Sequence, residues 1–197
     1  MEGSKISLET LNKIKDIVQR VMGTDEVHGY PHVERVLKYC KIISEHYENV
    51  DTDILTIAAL LHDIGRHSAL RKHHVEESIS ISRIILEQLN VDKKTIEKVL
   101  DCIMAHSFTY NVKPRLLEAK ILSDADKLDA LGAIGIARAF MESGRRGRSI
   151  KDTIKHFHEK LLKLCNVMYT DIGRKIAAEK TLLMKSFLEH LEEELET

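Results

Sequence analysis

The residues best equipped for chemistry in this chain are histidines and aspartates placed where apolar stretches stop. His32 opens "HVERVL", and the adjacent pair His62-Asp63 closes "AALLHD". His74 opens "HVEES", and His106 closes "IMAH". Asp124 and Asp126 interrupt "ILSDADKLDALGAIG". Taken singly, each has an ordinary use as a hydrogen-bonded core or surface residue. Together, imidazole and carboxylate make a donor set for Mn, Fe, Co, Ni or Zn, with Mg the harder, oxygen-seeking alternative. Neighbours on a helix point about 100° apart. His62 and Asp63 therefore reach one ion most readily where a helix ends, and Gly65 is expected to supply that end.

A divalent ion can lower the pKa of a bound water and polarise a phosphoryl oxygen. No nucleophilic Ser or Cys motif accompanies these residues, so attack by water is the simplest chemistry. Cations that could hold an anionic substrate stand near these groups. Lys127 follows Asp126, Arg35 stands one turn after His32, and Arg66, Arg71 and Lys72 follow the His-Asp pair. The stretch "GRRGRS" holds Arg145, Arg146 and Arg148 among glycines. It reads either as a phosphate-gripping lid or as a plain exposed loop. It is not a P-loop, because no GK[ST] follows.

The elements that must position these groups are helical almost throughout. Leu8, Leu11, Ile14, Val18 and Val21 form one stripe, with Ser7 as N-cap and Gly23 as stop. A second helix starts near Pro31 and carries Val33, Val36, Leu37, Cys40 and Ile43. A third runs from about Asp53 to Asp63, and a fourth from His74 to Leu89. The fifth spans Lys93 to His106, capped by Asp92. Leu116 to Phe140 reads as one long helix or two joined near Gly132. "ESGRRGRS" breaks the pattern, and helices near Ile150–Val167 and Asp171–Leu195 follow. No stretch alternates as a strand would. The expected class is all-α, in a single domain over residues 1–197, with C-terminal helices after a motif-bearing core.

Composition narrows the function classes. Thirty basic and 31 acidic residues give a net charge of -1. That balance argues against a dedicated nucleic-acid or membrane-surface binder. No apolar run approaches the roughly 20 residues of a membrane span. Cys40, Cys102 and Cys165 are too far apart for a CxxC, and are expected to pack as small apolar residues. The default compartment is the cytoplasm. The apolar positions of the last helix, Leu182, Leu183, Phe187 and Leu191, either pack internally or pair with a second copy.

His32, then His62-Asp63, then Asp126 resembles the H…HD…D signature of the HD-domain metal-dependent phosphohydrolases. "HVERVL" is similar to the family's HxxRV, "AALLHDIG" to its central motif and "DADKLDA" to its final one. The resemblance covers about Val27 to Phe140. It implies an all-helical HD-domain fold in which His32, His62, Asp63 and Asp126 bind one divalent ion. It also implies hydrolysis of a phosphoester or anhydride of a small phosphorylated substrate, a nucleotide above all. Asp63 and Lys127 then stand at the reacting centre, with Arg35, Arg66, Lys127 and Arg145 as cations for substrate. Asp124 and Asp129 are left to support the ligands or cap helices. Where many relatives read HDxxH, this chain reads "HGYPH", with Gly29 in the place of the aspartate. Dinuclear relatives such as the HD-GYP phosphodiesterases carry extra histidines in stretches matched by His74 and His106. A second ion bridged by Asp63 is thereby implied, with His73 competing with His74 for the role. Two other readings stand beside hydrolysis: a dinuclear-iron oxygenase of the same superfamily, and a non-catalytic metal-binding regulator.

Overall fold

Side-chain caps set where most of the helices begin. Ser7 accepts from Thr10 N at the start of α1 (Leu8–Met22), and Gly23 closes it with φ 60°. Pro31 stands in the first turn of α2 (Tyr30–Ser44). Asp51 caps α3 (Thr52–Leu61) through Ile54 N. A short 3-10 helix (Ile64–His67) follows, then α4 (His74–Gln88). Asp92 caps α5 (Lys93–His106) through Thr95 N. Then come α6 (Leu117–Asp129), α7 (Gly132–Arg145), α8 (Ile150–Glu159), a 3-10 helix (Leu161–Val167) and α9 (Asp171–Glu196). This computed structural model describes residues 6–67, 74–107, 110 and 112–196, and among them there is no strand. No helix among the described residues is long and apolar enough to cross a membrane.

The chain forms two compact helical units that divide between Ala125 and Asp126, inside α6. In the first, α3 is the central element. Seven of its ten residues are buried, from Ile54 to Leu61 with only Thr56 excepted. A helix apolar on nearly every face needs neighbours all round. Accordingly α1, α2 and α5 pack on α3, while α4 packs on α5 and on the first 3-10 helix. Glu118 of α6 accepts from Asp51 N at 2.7 Å, tying α6 to the start of α3. In the second unit α7 packs on α8 and α9. The ring of Phe140 stands 5.9 Å from those of Phe157 and Phe187.

Several expected boundaries moved. The third helix ends at Leu61, not Asp63, and Gly65 does not stop it. Gly65 lies within the 3-10 helix, where a Cβ would come 2.4 Å from Ser78 N and 2.5 Å from Glu77 Cβ. It is there for close approach to α4. On α1 the buried face is Ile14, Val18 and Met22, whereas Leu8 and Val21 are exposed. The segment from Leu116 to Phe140 is two helices, meeting at Gly132 with φ 71°. The first half of "ESGRRGRS" is helix. α7 continues to Arg145, and Ser149 already caps α8 in a capping box with Asp152. Residues 146–149 connect the two helices. The helix expected over Ile150–Val167 breaks at Lys160 into α8 and a 3-10 turn.

Candidate metal centre

α3 and α5 end in the same device. His62, the C-cap of α3, donates from Nδ1 to the Ala59 carbonyl at 2.8 Å. His106, the last residue of α5, donates from Nδ1 to the Ile103 carbonyl at 2.5 Å. Helix C-termini leave carbonyls without backbone partners. In each case an imidazole three residues on takes one. A carbonyl can only accept, so Nδ1 carries the proton, and in the neutral ring Nε2 keeps its lone pair. Backbone fixing of one nitrogen so that the other can ligate is the usual support of a metal-binding histidine.

Both Nε2 atoms face Asp63, and so do two more. Asp63 Oδ2 is 3.8 Å from His32 Nε2 and 3.9 Å from His62 Nε2. Its Oδ1 is 3.8 Å from His74 Nε2 and 3.6 Å from His106 Nε2. His32 Nε2 and His62 Nε2 are 3.2 Å apart. Two ligands each about 2.1 Å from one ion lie roughly 3–4 Å apart. The four Asp63–histidine separations therefore fit an ion between the partners and are too long for direct N–H···O bonds, while the His32–His62 contact is within hydrogen-bond reach. Asp63 Oδ1 is buried and accepts no hydrogen bond among the described residues. A buried carboxylate oxygen without a donor calls for a cation. The donors form two groups that share Asp63: His32, His62 and Asp63, and Asp63, His74 and His106.

Electrostatics favour the charged carboxylate. Burial by itself pushes Asp63 up. Arg66, then His62 and His106, outweigh it and hold the carboxyl well below the usual range. Arg66, on the 3-10 helix, donates from Nε to Asp63 Oδ2 at 2.6 Å. Sequence reasoning gave Arg66 to the substrate; its described contact is with Asp63, on a helical turn.

The other expected site residues have the following contacts within their own units. Arg35 donates to the side chain of Glu26 at 3.2 Å and to its carbonyl at 2.9 Å, bracing the turn before α2. Asp126 and Lys127 open the second unit on α6, half-buried and buried respectively. Lys127 Nζ sits 5.0 Å from the centre of the Tyr169 ring. Arg145 ends α7 and is exposed. Asp124 and Asp129 both lie within α6, so neither is an N-cap. Asp129 accepts from Arg138 at 2.6 Å. Arg71, Lys72 and His73 lie outside the described residues. Gly29, at the departure from HDxxH, leaves no room for a carboxylate: a Cβ would come 2.5 Å from the Asp25 carbonyl oxygen. Sequence reasoning missed the role of Ser123. Its hydroxyl donates to the His106 carbonyl at 3.0 Å and holds α6 to the end of α5.

A helical fold with an His-Asp pair at the heart of a five-residue donor set, buried but for the half-buried His74, defines an HD-type domain. Comparison with known proteins agrees. The HD domain family matches residues 29–131. YpgQ of Bacillus subtilis (strain 168) is 35% identical over 198 residues, covering 95% of each chain. Its crystal structure in complex with ADP aligns with a TM-score of 0.76 at 31% identity, over 95% of both chains. A Lactobacillus plantarum protein aligns with a TM-score of 0.84 at 27% identity, over 97% of this chain and 98% of its own. An HD-superfamily hydrolase from Bacillus thuringiensis aligns at 0.76 and 32% identity, over 96% and 98%. This chain belongs to the HD domain family.

Proposed function

We propose that the protein is a metal-dependent phosphohydrolase acting on a nucleotide or another small phosphate ester or anhydride. The observation that carries this reading is Asp63. One buried, ionised carboxylate divides its two oxygens between two histidine pairs. His32, His62 and Asp63 would hold one divalent transition-metal ion, with Asp126 added on the strength of the motif. Asp63, His74 and His106 would hold a second. When bound, such ions supply a water of lowered pKa and charge stabilisation at the phosphoryl group.

The chain's own residues prepare that chemistry. Arg66 fixes the Asp63 carboxylate and keeps it charged. The Ala59 and Ile103 carbonyls orient His62 and His106. Lys127, carried over from its place beside Asp126, is assigned to the phosphoryl group. The ADP complex of YpgQ supports a nucleotide as substrate.

A phosphate-release screen over nucleoside mono-, di- and triphosphates and cyclic dinucleotides, with Mn, Co, Ni and Mg each supplied, tests the proposal. Release is expected from at least one nucleotide, lost on chelation and in Asp63→Ala with helical circular dichroism retained. No release from any compound, or full release after exhaustive chelation, refutes it. Oxygen consumption by iron-loaded protein would favour the oxygenase reading instead.

A further inference from the structure

α9 carries its charges in an order that opposes its own dipole. Arg174, Lys175, Lys180 and Lys185 all precede Ser186, and five glutamates follow it. Its last turn holds Glu193, Glu194 and Glu196 and no basic residue. The free carbonyls of a helix C-terminus carry negative partial charge, so acidic residues there are repelled. A neighbouring helix running the other way, with the same order of charge, would set base beside acid and its positive pole beside this negative one.

The outer face of α9 has the matching symmetry. Gly173, Ala177, Thr181, Met184 and Leu188 are buried within the second unit. Leu182, 67% exposed, stands on the opposite side. Residues three, four and seven positions from it share its face. These are Lys175, Ala178, Glu179, Lys185, Ser186 and Glu189, and all are exposed. Outward from Leu182 the pattern repeats with its charges reversed: Glu179 against Lys185, Ala178 against Ser186, Lys175 against Glu189. Two antiparallel copies crossing at Leu182 bring residues equally far before and after it to one level. Leucine then meets leucine on the two-fold axis, with small residues beside it. Lys175 faces the partner's Glu189, and symmetry makes that pair twice. Asp171 comes level with the partner's Glu193, but Arg174 already holds Asp171 at 2.6 Å.

Contacts within one chain do not explain this pattern. Lys175 with Glu179 and Lys185 with Glu189 are i, i+4 combinations, but lysine comes first, which is the weaker orientation. Lys180 and Glu192 point elsewhere, to the Leu131 carbonyl and to His158. We infer that this face of α9 is a self-association surface. Its occupant is a second copy of this chain, paired antiparallel about a two-fold axis at Leu182. The face belongs to the second unit alone, so the inference is independent of the phosphohydrolase reading. One helix pair makes a small interface. The dimer should therefore depend on concentration, and salt should weaken it.

The test is sedimentation velocity of the full-length protein over a wide range of concentration, at low and high salt. A shift from monomer to dimer is expected as concentration rises, and a shift back in high salt. Leu182→Glu should remain a monomer throughout, with its helical circular dichroism unchanged. Lys175→Glu and Glu189→Lys each set like charges face to face at two places, and each should weaken the dimer roughly tenfold. Combining the two should restore it. Within one chain these positions lie about 21 Å apart along the helix, so only a contact between chains can give that rescue. Residue 182 alone lies on the axis. Leu182→Cys should therefore cross-link to its own copy on mild oxidation, and Lys175→Cys should not. A monomer at every concentration, a dimer indifferent to Leu182→Glu, or no rescue in the double variant would each overturn the inference.

Discussion

Oδ1 of Asp63 lies 3.6 Å from Nε2 of His106, and each residue is only 1% exposed. The two atoms are too far apart to share a proton well, and no other donor serves that oxygen. An ion between them resolves both facts. Metal analysis of Mn-saturated protein should therefore give two ions per chain. His74→Ala and His106→Ala should each reduce this to one, and Asp63→Ala should abolish binding. One ion per chain, unchanged in both histidine variants, would leave a mononuclear site.

Gly65 and Gly144 make a matched pair of tests. A Cβ at Gly65 runs into the Ser78 backbone, whereas at Gly144, inside α7, it meets nothing within 4 Å. Gly65→Ala must push α4 away, at a cost of about 1–3 kcal/mol typical of overpacking. At roughly 2–4 °C per kcal/mol for a chain of this size, Tm falls by several degrees. Gly144→Ala should raise Tm slightly, since alanine is the better helix residue by about 0.5–1 kcal/mol. Equal melting of both variants would contradict this account.

What could be read from the sequence was local. The bounds of α5 and the Ser7 and Asp92 caps follow from residue type, because a cap is a contact within one turn. The grouping of His32 with His62-Asp63, and of His74 and His106 beside them, could be approached only through motif order and resemblance. What escaped was whatever depends on another element. Gly65 looks like a helix stop until Ser78 is seen behind it. Leu8 and Val21 fit the helical stripe but are exposed. Tyr30 reads as an ordinary residue before a proline until its hydroxyl is found buried. The turn from His62 into the 3-10 helix keeps the pair in place, and periodicity does not distinguish it from a plain helix end.

The three thiols should differ in reactivity. Burial, with Glu118 and Asp101 adding to it, pushes the Cys102 thiol far above its ordinary value. Cys40 is equally enclosed, while Cys165 is half-buried. Thiolate, not thiol, reacts. A colorimetric disulfide reagent should thus titrate at most one thiol per native chain, and all three after denaturation. Rapid labelling of Cys102 in the native protein would show the first unit to be open.

Lys127 is assigned to the phosphoryl group in the proposed reaction. It is 4% exposed, and its ammonium lies against the Tyr169 ring. An ammonium over an aromatic face is attracted by the ring quadrupole. Loss of one charge-assisted contact costs about 1.5–3 kcal/mol. Lys127→Ala should lower kcat/KM roughly tenfold to hundredfold, with metal stoichiometry unchanged. An unaltered kcat/KM would make Lys127 a packing residue of the second unit.

Arg66 should matter differently with and without metal. Its 2.6 Å bond to Asp63 Oδ2 offsets the burial that pushes this carboxyl up. In chelated protein Arg66 is the strongest of the influences that keep this carboxylate charged, so Arg66→Ala should cost about 1–3 kcal/mol, the penalty of leaving a buried acceptor poorly served. That lowers Tm by several degrees. In Mn-loaded protein the ions take over the compensation of charge, and the same substitution should cost much less. Arg66 is about a third exposed, so its repulsion of a bound cation is screened, and removing it should not raise metal affinity greatly. Melting of wild type and Arg66→Ala, each with chelator and with excess Mn, measures the difference directly. A Tm drop of equal size in both conditions would mean that Arg66 stabilises the 3-10 turn itself and not the charge on Asp63.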